Sequence, residues 1–124
     1  MRRIEPPQTS VWNTIEQWKE WLYKFYESAT RNKKVTFTAG DTTPSVYDSE
    51  LFTTANTAAT TITNFDDGYE NQRITVVAGD TNTTFDFSSS SLKGNGGVDW
   101  TPVIGDHMTC VYDGTNWYCT ISEN

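Results

Sequence analysis

One histidine, two cysteines and a scatter of aspartates are the residues from which this chain could build chemistry. A Ser/His/Asp relay would have to use His107, and a neighbouring Asp106 does not by itself place a carboxylate behind the imidazole. The place of His107 beside the start of a predicted strand suits a surface or turn role instead. Zinc asks for three or four nitrogen and sulfur ligands; His107, Cys110 and Cys119 total three, with no CxxC knuckle among them. Carboxylate pairs could serve glycoside hydrolysis, with Asp66, Asp67, Asp80, Asp86, Asp99 and Asp106 as candidates. Nearly all fall in predicted turns, where Asp is favoured for bonds to its own backbone. Asp66-Asp67-Gly68 and Asp113-Gly114 do not follow EF-hand spacing, so only an irregular loop calcium stays open. Gly94-Asn95-Gly96-Gly97 lacks the Lys-Ser/Thr and the succeeding helix of a phosphate loop. The reading is of a chain that is not an enzyme, with no catalytic residue, metal or cofactor assigned.

Rings offer a different chemistry. Trp100, Trp117 and Tyr118 are the possible ligand-facing residues, since exposed aromatics stack on sugars. In a chain so poor in aliphatics, the same rings are the material of a core, and that alternative is preferred.

Whatever these residues do, a C-terminal β block must position them. Its clearest element is a hairpin over residues 108–119, in which two runs of β-formers flank Asp113-Gly114-Thr115-Asn116. Closing it with Tyr112 opposite Trp117 sets Cys110 opposite Cys119 and Val111 opposite Tyr118. Strand alternation then puts Cys110, Tyr112, Trp117 and Cys119 on one face. A lone hairpin is marginal in water, so this one needs an apolar surface supplied by the strands before it.

Composition bounds the rest. A length of 124 residues is one domain with room for a small appendage. Aromatics make up 14% of the chain, so the core must be built from rings. A net charge of −7 argues against nucleic acid, which requires a basic face. No apolar run approaches a membrane span, and the start lacks the basic, apolar, small-residue order of a signal peptide, so manufacture in a cytoplasm is expected. In that compartment the two cysteines are expected as thiols, although their cross-strand placement would allow a disulfide.

Residues 1–9 read as an extended arm, because Pro6-Pro7 suits neither a helix interior nor a central strand. Thr9 or Ser10 can cap a helix beginning at residue 11. From there to about residue 29 the period is helical: Val11, Ile15, Trp18, Leu22 and Phe25 form a short heptad seam, widened by Trp12, Trp21, Tyr23 and Tyr26. The helix either packs on its own β block or buries its rings against sister chains or a larger scaffold; the second is preferred, since the rings exceed one groove of a small domain. Residues 31–34 are a basic linker.

Past the linker the period becomes two. Strands are expected at Val35-Thr36-Phe37-Thr38, Ser45-Val46-Tyr47, Leu51-Phe52-Thr53, Thr60-Thr61-Ile62-Thr63, residues 73–78 and residues 83–87, the last two forming a hairpin. Ala39-Gly40-Asp41-Thr42 and Ala78-Gly79-Asp80-Thr81 echo one another after β runs, which reads as reuse of one good turn. Residues 88–97 are expected to be a flexible loop of serines and glycines. The fold class is mainly β: an N-terminal arm and single amphipathic helix (1–30), then a small antiparallel β-sandwich or barrel-like domain (35–124), with a trimeric assembly.

The order Thr43-Pro44-Ser45-Val46, Thr60-Thr61-Ile62-Thr63-Asn64-Phe65-Asp66-Asp67-Gly68, Gln72-Arg73-Ile74-Thr75-Val76, Asp80-Thr81-Asn82-Thr83-Thr84 and Val111-Tyr112-Asp113-Gly114-Thr115-Asn116-Trp117-Tyr118 resembles a β module of tailed-bacteriophage virion proteins: tail fibres, head fibres and decoration proteins. The likeness covers about residues 42–119. The leader, with Pro6-Pro7 and Trp21-Leu22-Tyr23, resembles the start of small phage proteins that attach to a particle. The resemblance implies a virion structural protein assembled in the host cytoplasm, a short fibre, decoration knob or tail-adaptor accessory, commonly a homotrimer. Ile4, Pro6, Pro7, Trp12, Ile15, Trp18, Trp21, Leu22 and Phe25 would dock it on capsid, tail or adaptor proteins. A host surface glycan is the alternative partner; neither nucleic acid nor a membrane is expected. The chain lacks the long shaft of a fibre, and no catalytic residues transfer with the likeness.

Overall fold

The structure, a computed structural model, describes residues 19, 20, 22 and 23 and residues 33–124. The chain divides into two units, Met1–Asn32 and Lys33–Asn124. In the first, the four described residues are helical, with Leu22 and Tyr23 exposed. Ile4, Pro6, Pro7, Trp12, Ile15, Trp18, Trp21 and Phe25, like the arm and the helix cap, lie outside the described residues.

The second unit is built on eight short strands: β1 (Lys34–Thr36), β2 (Leu51–Thr53), β3 (Thr60–Ile62), β4 (Arg73–Val77), β5 (Thr83–Phe85), β6 (Leu92–Lys93), β7 (His107–Tyr112) and β8 (Trp117–Ser122). One sheet runs in the order β1-β2-β4-β7-β8-β6, and β3 pairs with β5 in a second. The terminal hairpin has the register its turn chemistry dictates: Tyr112 opposite Trp117, Val111 opposite Tyr118, Cys110 opposite Cys119. Asp113 sets that turn, its Oδ1 accepting the N–H groups of Thr115 (2.8 Å) and Asn116 (2.7 Å).

Strand direction is mixed, where an antiparallel unit was expected. The β4–β7 and β7–β8 pairs are antiparallel, but β1–β2, β2–β4, β3–β5 and β6–β8 are parallel. The cause is the path of the chain, which visits the two sheets alternately through β2, β3, β4 and β5. β4 therefore meets β2, and β5 meets β3, only after a crossover of the kind that parallel pairing requires. The expected β4–β5 hairpin is corrected on the same ground. Gly79-Asp80-Thr81-Asn82 does not fold β5 back onto β4; it carries the chain to the other layer, where β5 lies beside β3.

Residues 88–97 are likewise more ordered in contact than a serine-glycine loop implies. The Asp86 carboxylate accepts the Ser88 and Ser89 N–H groups and both hydroxyls. β6 then adds to β8, and the N–H of Trp117 donates to the Ser91 carbonyl (2.9 Å). A Cβ on Gly94 would stand 2.6 Å from the Cys119 carbonyl oxygen, so that close approach requires glycine.

The core is one cluster drawn from both sheets, the arrangement of a β-sandwich. Inward positions alternate along each strand: Phe52 on β2, Ile74 and Val76 on β4, Met108 and Cys110 on β7, Trp117 and Cys119 on β8, with Ile62 and Phe85 from the second layer. Rings carry it. Phe37 stacks on Phe52 at 5.1 Å between centroids, Phe65 meets Trp117 edge-on at 5.4 Å, and Phe85 stacks on Trp100 at 5.8 Å. Each buried ring contributes about 1.5–3 kcal/mol of transfer free energy, which the sparse aliphatics alone would not supply.

Candidate functional site

β1, β2 and β4 run parallel, so their C-terminal ends deliver three loops to one edge of the sheet. Two of these loops are the echoed turns, and each Asp accepts the N–H two residues on: Thr43 to Asp41 (2.9 Å), Asn82 to Asp80 (2.7 Å). Asn56, at the end of the middle loop, ties them together. Its Oδ1 accepts the Gly40 N–H (2.8 Å), its own N–H donates to Asp80 Oδ2 (2.8 Å), and its Nδ2 donates to the Thr83 hydroxyl (2.7 Å). Partial burial works to raise the Asp80 pKa, but the bonds from Asn56, Thr54, Asn82 and Thr83 outweigh it and hold the carboxyl below its ordinary value.

Beside this edge, β1 has β2 on one side and, among the described residues, no strand on the other. A half-open groove of about 320 Å³ runs there, lined by Val35, Phe37, Asp41, Ser45, Tyr47 and Asp48 among others. Phe37 and Pro44 are buried under it, while Tyr47 is 67% exposed. Val46 beside it is fully buried, and period-two alternation turns Tyr47 outward. A ring, two carboxylates and hydroxyls on one concave surface make a set able to stack on and hydrogen-bond a polyol. Local sequence marks Ser45-Val46-Tyr47 as a short strand or extended piece; in the fold, Ser45 forms a single parallel bridge with Asp66.

The rings expected from sequence as possible ligand-facing groups are placed differently. Trp117 is fully buried, stacked on Tyr112 at 4.6 Å between centroids, and its Nε1 has no hydrogen-bond partner among the described residues. Trp100 is 6% exposed, and its Nε1 donates to Glu123 Oε2 (3.0 Å). Both are core rings, and neither has a free face for a ligand; the ligand-facing assignment is corrected for these two. Tyr118 alone of the three is on the surface, 47% exposed on the outer side of β8.

The remaining candidates are committed to structure. Asp106 is buried, its Oδ2 accepting the Val103 N–H (3.0 Å) and its Oδ1 the Asn124 N–H (2.7 Å), so it does not orient His107. Asp67 accepts the Ser45 hydroxyl (2.6 Å) and Asp66 the Thr43 hydroxyl (3.1 Å), tying their loop to the residues before Val46. Asp86 is drawn down to about 2, first by the Ser89 N–H and also by the Ser89 and Ser88 hydroxyls and the Ser88 N–H. Asp113 is lowered by the Asn116 and Thr115 N–H groups. Such carboxylates stay ionised as turn acceptors. Cys110 and Cys119 are both free and buried, and burial with the adjoining Cys119 pushes the Cys110 thiol up.

Residues 35–118 match the family described as the phage depolymerase C-terminal beta sandwich domain. No curated protein matches the chain, and no solved structure does.

Proposed function

We propose that this chain, which belongs to the family of the phage depolymerase C-terminal beta sandwich domain, is a non-catalytic structural component of a phage virion. Family membership supports a tail-associated, virion-borne protein with a β-sandwich. The finer reading is a short fibre or decoration-type component: residues 1–30 anchor it to capsid, tail or adaptor proteins, and the β unit projects from the particle as part of a homotrimer.

One observation carries this reading. The match begins where the character of the chain changes: residues 35–118 are the family's sandwich, while the ring-rich stretch with Trp12, Trp18 and Trp21 precedes it. So many rings in a stretch outside the family's sandwich suit it to burial against a partner surface. Light scattering on the full chain and on a form lacking residues 1–30 tests the assignment, together with incorporation of each into particles. The shortened chain is expected to fold and to be left out of particles; its normal incorporation would overturn the anchor. Cleavage of host polysaccharide by the purified chain would overturn the non-catalytic reading.

The groove beside β1 favours a second reading, a glycan-binding tip that uses Tyr47 with Asp41 and Asp48. A glycan array with the full chain and with Tyr47→Ala separates the two readings. Binding lost in the variant supports the tip; no binding by either protein leaves the structural role.

A further inference from the structure

The terminal hairpin contains a second chemical feature, independent of how the protein meets a particle. Cys110 and Cys119 are direct partners across β7 and β8. The turn dictates the kind of pair they form. The Asp113 N–H donates to the Asn116 carbonyl (3.1 Å), so residues 113 and 116 exchange backbone bonds. Pairs alternate along an antiparallel ladder. Tyr112 and Trp117 are then a non-hydrogen-bonded pair, Val111 and Tyr118 a hydrogen-bonded one, and Cys110 and Cys119 again non-hydrogen-bonded. The other side of the strand agrees, since the Tyr112 N–H donates to the Gln72 carbonyl (3.0 Å) and so faces away from β8.

In a non-hydrogen-bonded pair the Cα atoms stand about 4.5 Å apart and the side chains lean together. That separation lies within the range of about 4.4–6.8 Å that a disulfide spans. Both side chains point to the inner face, and the Cys119 thiol donates to the Trp117 carbonyl (3.8 Å). Cys110 is fully buried and Cys119 is 9% exposed, which makes Cys119 the sulfur a reagent reaches first.

We propose that Cys110 and Cys119 are a modification site, a dithiol that closes to an intramolecular cross-strand disulfide when the folded protein meets a small disulfide oxidant such as oxidised glutathione. The Cys119 thiolate attacks one glutathione sulfur, forming a mixed disulfide and releasing one glutathione thiolate. The Cys110 thiolate then attacks the Cys119 sulfur, closing the bridge and releasing the second glutathione. Two protein thiols are oxidised, one glutathione disulfide is reduced, and the two thiol protons end on the two glutathiones. Burial that favours the neutral Cys110 thiol slows the closing step, because the thiolate is the nucleophile. The bridge encloses the turn in a ten-residue loop, from Cys110 to Cys119, and should shift the folding equilibrium about a hundredfold toward the native state.

The test uses the full chain, purified under reductant, desalted and incubated with graded oxidised glutathione. Samples are quenched in acid, unfolded, alkylated and weighed by mass spectrometry. The expected product lacks two hydrogen atoms, carries neither alkyl group nor glutathione, and yields a peptide linking Cys110 to Cys119. Its unfolding midpoint in guanidinium should lie above that of the reduced chain, and Cys119→Ser should give no such product. Two alkylatable thiols after prolonged incubation would overturn the proposal, as would a product made only of glutathione adducts or disulfide-linked dimers.

Discussion

The backbone N–H of Asn56 donates to Asp80 Oδ2 at 2.8 Å, joining two residues 24 apart in sequence. That bond, with Gly40 on Asn56 Oδ1, clamps the two Ala-Gly-Asp-Thr turns onto the loop between them. The echo in the sequence thus reflects equivalent places at the ends of parallel strands β1 and β4, with β2 between them.

Removing the Asn56 side chain strips the Gly40 N–H of its acceptor and the buried Thr83 hydroxyl of a donor. Unmade bonds of this kind cost about 1–3 kcal/mol. Asn56→Ala should therefore lower the urea midpoint by a corresponding amount, while the exposed Thr57→Ala should leave it in place.

Acid should loosen the fold through its turns. Asp80, Asp86 and Asp113 have folded pKa values below the ordinary 3.8. A depressed folded value means that the unfolded chain takes up protons first, so the stabilisation is intact above about pH 4 and is lost on descent through the folded values. For Asp86 that value is about 2. Urea midpoints measured across this range should fall with pH, and Asp86→Asn should make the fall shallower; an unchanged slope would remove Asp86 from the explanation.

Trp117 and Tyr118 are adjacent and should respond oppositely. Trp117→Ala empties a fully buried site and should cost about 3–5 kcal/mol. Trp117→Phe should cost less, since it also removes an indole N–H that has no partner among the described residues. Tyr118→Ala, on the exposed face, should leave the circular-dichroism melt nearly unchanged.

Gly68 sits against the same ring. A Cβ there would stand 2.6 Å from Trp117 Cζ2 and 3.1 Å from Tyr112 Cδ2. Both rings are held by their mutual stack, so Gly68→Ala should destabilise by about 1–3 kcal/mol of overpacking. Altered near-ultraviolet circular dichroism, with retained far-ultraviolet signal, would report the displaced indole.

The terminal hairpin is legible in the sequence because its register is set locally, by Asp113 and the alternation on either side. The core's dependence on rings is legible from composition. The β4–β5 pairing is not, because a Gly-Asp-Thr-Asn stretch looks alike whether it closes a hairpin or crosses between layers. What decides is Asp80's bond to Asn56, a contact no local window contains. Trp100 and Trp117 are open to two readings for a similar reason: a ring's spacing gives its face, not whether that face is covered. The groove at Tyr47 is hidden from sequence because its wall comes from β1 and its rim from residues 41–48, brought together only by the fold.

Alternation between the layers also orders the events of folding. Pairings β2–β4 and β3–β5 each enclose a strand lodged in the other sheet, so their loops must close before contacts reward them. The local pairing, β7–β8, is made by the last of the eight described strands to be synthesised, and β4 needs β7 as its neighbour. Growth from the ribosome and completion of the sheet therefore run in opposite directions. A nascent chain that stalls before residue 107 holds β4 with one side unpaired, an open edge of the kind that recruits other chains.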